Sequence, residues 1–122
     1  MEGSGRLSRI WLFRRFLVTG QSMSPTFNNG DGVIAIRSRR AIVGQVRVAR
    51  NPNKDSMWLL KRVSAVGQDG MMSLSSDSND SSVVDSRTFG RVLVRGSFRV
   101  FLHLPANGKP KFVILGPRPN LH

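Results

Sequence analysis

The chain has 122 residues, a length that suits one domain with one modest core. Its 19 Lys and Arg against 7 Asp and Glu give a formal net charge of +12, which raises a polyanion or an anionic membrane surface as a partner. The basic residues are scattered, without Tyr or any helix-turn-helix or zinc-finger pattern, so specific nucleic-acid binding is not expected. The absence of Cys excludes disulfides and thiol catalysis, and the isolated His103 and His122 suggest no ligand set, so neither a metal nor a cofactor is expected.

Residues 1–15 contain Gly3, Gly5 and four Arg among large apolar groups, and read as a flexible or amphipathic N-terminal segment. Trp11, Phe13 and Phe16 would rest on the domain or on a membrane surface. The longest apolar stretch, 10–18, is cut by Arg14 and Arg15, whereas a membrane span needs about twenty apolar residues. The same interruption argues against a cleaved secretory signal. The expectation is a cytoplasmic protein with at most peripheral membrane contact.

From residue 16 to 122 the sequence reads as a single domain of short β-rich runs at 16–19, 32–37, 45–50, 57–66, 91–95, 97–104 and 111–115. Turn chemistry separates them: Asn28-Asn29-Gly30-Asp31-Gly32, Asn51-Pro52-Asn53, Gly67-Gln68-Asp69-Gly70 and Pro105-Ala106-Asn107-Gly108. This predicts an all-β, antiparallel fold with short loops. The Ser-rich stretch 73–82 reads as a solvated loop.

The chemistry concentrates in Gly20-Gln21-Ser22-Met23-Ser24-Pro25-Thr26, directly after the first run. A Ser past a strand end, flanked by Gly20 and Pro25, can be held with its hydroxyl exposed, although such a segment also serves as an ordinary turn. A serine hydroxyl is a weak nucleophile and needs a base within hydrogen-bond reach. Neither His has a promising context, which leaves a Ser-Lys arrangement. A lysine becomes a base only when its environment favours the neutral amine. In Met57-Trp58-Leu59-Leu60-Lys61-Arg62-Val63, strand alternation sets Lys61 on one face with Leu59 and Val63, among apolar neighbours, unless that face is solvated.

Gly20-x-Ser22-Met23-x-Pro25-Thr26 with Gly30-Asp31, then Lys61-Arg62-Val63 with Gly67-x-Asp69, then Asp85-Ser86-Arg87-x-x-Gly90, resembles the ordered boxes of type I signal peptidases. The resemblance covers about residues 16–95 and implies a signal-peptidase-like β-fold with Ser22 as nucleophile and Lys61 as general base. It implies that the Ser22 amide serves the oxyanion hole and that Asp85 and Arg87 pair to brace the site. Gly20, Gln21, Met23 and Pro25 become candidates for the substrate groove.

Two departures stand out. Gly20 occupies the place where many leader peptidases carry an oxyanion-hole Ser. Val83 occupies the place of a lysine-orienting Ser, so Ser82 is the substitute that the resemblance suggests. Shortness and the missing anchor make the chain more similar to the soluble branch of nickel-type superoxide dismutase maturation proteases. That implies a precursor with an N-terminal leader as substrate. The alternatives are a secretory-type signal peptidase at the membrane and an inactive peptide-binding module on the same fold; a self-cleaving repressor would need a DNA-binding domain that the short N-terminal segment does not hold.

Overall fold

In the run Gly32–Arg37, Val33 and Ala35 are buried while Ile34 and Ile36 are half-buried, the alternation of a strand with one face on a core. The same logic builds the sheet in a computed structural model that describes residues 12–78 and 90–113. Its strands are β1 (Phe13–Leu17), β2 (Gly32–Arg37), β3 (Val46–Asn51), β4 (Lys54–Val66), β5 (Met71–Ser75), β6 (Val92–Leu93), β7 (Phe98–Leu104) and β8 (Lys111–Phe112). All pairings are antiparallel, in the order β1-β2-β7-β3-β4-β5-β6, with β8 on β7. The all-β expectation holds, in one domain.

The sheet is one piece but has two cores. Val33, Ala35, Val46, Val48, Phe98 and Val100 form the first with Val18, Met23 and Phe27; Ala49, Val63, Met72, Leu74, Val92 and Val94 form the second. Strand β3 feeds both, since its successive side chains point to opposite faces. Burying each large apolar side chain contributes about 1.5–3 kcal/mol. Bulges interrupt the pairing at Ile34/Ala35, Arg50/Asn51 and Val63/Ala65, where extra residues tighten the twist. The sheet curls far enough for Phe16 of β1 to meet Trp58 of β4, with ring centroids 5.3 Å apart, although three strands separate β1 from β4 in the order.

Some boundaries differ from the sequence reading. Strand β1 starts at Phe13, so Phe13, Arg14 and Arg15 pair with Ile36, Ala35 and Ile34. The stretch expected as a loop from residue 73 begins inside β5, because Met72 and Leu74 enter the second core while the polar Ser73 and Ser75 occupy the alternate, half-buried positions. Strand β6 stops at Leu93, because the chain turns there: Val94 donates to the Gly70 carbonyl and Ser97 donates to the Val94 carbonyl.

Candidate active site

Ser22 lies in the turn between β1 and β2. Two neighbours fasten the turn from beneath: Met23 and Phe27, 2 % and 1 % exposed, sit four residues apart in the first core, and the Phe27 amide donates to the Met23 carbonyl at 2.8 Å. Its ends are stapled together. Val18 donates to the Asp31 carbonyl at 2.7 Å, Gly30 donates to the Val18 carbonyl at 2.9 Å, and the Gly20 amide donates to Asn29 Oδ1 at 2.9 Å. Asp31, 5 % exposed, locks the far side by accepting from the Asn28 and Ala106 amides and bonding His103 Nε2 at 2.8 Å. His103 is thus a buried structural partner, and Asp31, noted in the sequence only beside Gly30, is a support of the Ser22 turn.

Lys61 is 3 % exposed in the middle of β4, and its Nζ donates to Ser76 Oγ at 2.7 Å. Antiparallel pairing explains this contact. Strand β5 pairs Ser75 with Arg62, and continuing that register by one residue sets Ser76 opposite Lys61. The next residue, Asp77, receives Arg62 Nε at 2.8 Å and Nη2 at 2.7 Å, the two-pronged geometry that suits guanidinium and carboxylate. Ser78 then donates its amide to the Ser22 carbonyl at 3.0 Å. Residues 76–78 therefore hold the lysine strand with one end and the serine turn with the other, and the Thr26 hydroxyl adds a bond to Asp77.

Burial opposes charge on the Asp77 carboxylate, but the hydrogen bonds from Arg62 and Thr26 and the Arg62 charge outweigh it and hold the pKa below the ordinary 3.8. Asp31 is lowered in the same way: burial opposes, and the Asn28 and Ala106 amides with His103 prevail. A carboxyl lowered on folding stabilises the native state above its unfolded pKa and loses that contribution as pH falls through the folded value. The melting temperature should therefore hold down to about pH 4 and then drop. In Asp77→Asn the drop should be shallower, from a lower plateau, when both are followed by circular dichroism.

A cavity of about 370 Å³ is lined by the residues that precede Ser22 and Lys61 along the chain. Residues 15–19 line one wall and residues 57–60 the other, over a floor of Val33 and Val48. Strand β1 is the edge of the sheet, and β4 pairs with β5 only from Arg62 onward, so among the described residues both walls are strand edges without a further strand. Such a slot fits an extended peptide, whose backbone can bond to strand edges.

Of the groove candidates, Gly20, Gln21 and Pro25 are exposed beside Ser22, while Met23 points into the core and supports the turn from below. The described groove is lined instead by strand residues that carried no motif. Gly20 has a φ of +84°, where a side chain is strained even though a Cβ would meet nothing within 4 Å. The local turn thus favours glycine where many leader peptidases carry a Ser. Ser82, Asp85 and Arg87 lie outside the described residues. The lysine partner found here is Ser76, and sequence reasoning missed it together with the Arg62–Asp77 pair. Extending the hairpin register from the Gly67–Gly70 turn does not find them, because the bulge at Val63/Ala65 shifts the pairing by one residue; without it Asp77, not Ser76, would lie opposite Lys61.

Among the described residues, no group of three His, Cys, Asp or Glu could hold a metal ion, and no helix is long and apolar enough to cross a membrane. The Peptidase S24-like family model matches residues 15–93, which include the Ser22 turn, the groove walls, Lys61 and residues 76–78. No curated protein matches the chain.

Proposed function

We propose that this chain, which belongs to the Peptidase S24-like family of serine proteases, cleaves its substrate with Ser22 as nucleophile and Lys61 as general base. The observation that carries the reading is the buried Lys61 amine, bonded to Ser76 on the same short segment that grips the Ser22 turn. The neutral amine takes the Ser22 proton as Oγ attacks the scissile carbonyl, and later returns it to the leaving amine. The Ser22 amide stabilises the developing oxyanion. Ser76 orients the amine, and the Arg62–Asp77 pair keeps Ser76 in register. The Asp85–Arg87 pair and Ser82 remain part of this proposal as further braces.

The substrate we assign is a precursor protein with a flexible N-terminal leader, which enters the slot between β1 and β4 in extended form with Gly20, Gln21 and Pro25 at its catalytic end. The maturation of nickel-type superoxide dismutase fits the box order and the interrupted apolar run at 10–18, and it sets the reaction in the cytoplasm. Purified protein incubated with a dismutase precursor should release one leader and expose one new N-terminus by mass spectrometry. Cleavage of a secretory preprotein alone would support the signal-peptidase reading instead. Binding of both without cleavage would support an inactive peptide-binding module.

A further inference from the structure

At one end of the groove, three guanidinium groups crowd one aromatic cluster. The rings of Phe16, Trp58 and Phe98 meet edge to face, with centroids 5.3–5.8 Å apart. Arg14 lies 5.2 Å from the Phe16 centroid and 5.3 Å from that of Trp58; Arg50 lies 4.3 Å from Trp58, and Arg37 lies 5.3 Å from Phe98. All three arginines are exposed. Among the described residues Arg14 and Arg37 make no ion pair, while Asp31, Asp69 and Asp77 are each engaged elsewhere.

Like charges gathered on shared rings repel one another, and Arg47 and Arg99, next in chain to Val48 and Phe98 respectively, add to the positive charge of the region. Stacking fixes the Arg14 and Arg37 guanidinium planes while their N–H edges remain able to grip a carboxylate. The patch is continuous with the slot, since Phe16 and Trp58 also line it. Both β1 and β4 run toward the catalytic end, so the arginines mark the opposite end. Along β4, Trp58 precedes Lys61 by three residues, and Arg14, near the start of β1, precedes Thr19 at the far end of the groove lining by five. At about 3.3 Å per residue these spans are at most roughly 10 and 17 Å.

We infer that this patch is an acidic-residue subsite, which selects substrates carrying Asp or Glu about three to five residues from the scissile bond. The inference rests on the proposed peptide groove but not on the dyad's chemistry. An acidic polypeptide is favoured over other anions because the patch opens into a slot bounded by strand edges, which bonds a peptide backbone.

The test uses Ser22→Ala protein and fluorescein-labelled nine-residue apolar peptides that carry a Glu pair at one end, a Glu pair at the other end, or a Gln pair. Anisotropy should show one Glu peptide binding about tenfold more tightly than the Gln peptide at low salt, an advantage that shrinks as salt screens it. Arg14→Gln and Arg37→Gln should each remove about threefold or more of that advantage and leave Gln-peptide binding unchanged. Equal affinity for Glu and Gln peptides would overturn the subsite. So would preferential capture of a DNA oligonucleotide or of phosphatidylglycerol vesicles through the same arginines. Cleavage by the unsubstituted protein separates the two claims: charge-selective binding without Ser22-dependent cleavage sinks the dyad alone, and Ser22-dependent cleavage indifferent to charge sinks the subsite alone.

Discussion

Ser22→Ala is expected to abolish cleavage and Lys61→Ala to lower it nearly as far, each by about 10⁴-fold or more, with the double variant no worse than either single one. The non-additivity is expected because the proposed nucleophile and base carry one proton transfer between them. Neither change should unfold the chain, since the core supports of the turn are Met23 and Phe27 and the strand pairing of Lys61 is made by backbone. Kinetics of leader release, with circular dichroism on each variant, check the claim. Near-normal turnover in folded Lys61→Ala would require another base.

Arg47→Met should cost about 3 kcal/mol, or roughly 10 °C in melting temperature for a domain of this size. Arg47 is 0 % exposed, and its five N–H groups reach Ser97 Oγ twice, Gln45 Oε1, and the Arg40 and Ser38 carbonyls. Burial, with Arg99 nearby, lowers its pKa to about 10, so it is still charged at neutral pH. A buried ion pair can often be replaced by apolar groups with little loss, because both charges leave together. Here the acceptors are neutral and two are main-chain carbonyls, which stay behind without this donor when methionine replaces the arginine. Arg47→Lys should also destabilise, since an ammonium has three donors for five bonds. Thermal melts of the two variants test this, and a melting temperature unchanged in Arg47→Met would show that the fork is dispensable.

Much of the sheet was legible because its physics is local. Gly32–Arg37 alternates cleanly between buried and half-buried side chains, and the Gly67–Gly70 turn announces a hairpin. Strand β5 was obscured because two of its alternate positions are Ser, so composition suggested a loop where Met72 and Leu74 make a core. Ser22 and Lys61 were legible as a candidate pair through residue type and motif order. What joins them was not, because Ser76 and Asp77 acquire their meaning only from register across a strand pair. The groove walls were hidden for a similar reason: they arise where the curled sheet sets the open edge of β1 beside that of β4, a relation between strands that no single segment encodes.

The most direct test of the Ser22–Lys61 mechanism is peptide-mass mapping after exposure to a serine-reactive fluorophosphonate across a range of pH. One adduct on Ser22 is expected, forming faster as pH rises because only the neutral amine accepts the serine proton, and nearly absent in Lys61→Ala. An adduct on a different serine, or labelling of Ser22 at the same rate in Lys61→Ala, would contradict it.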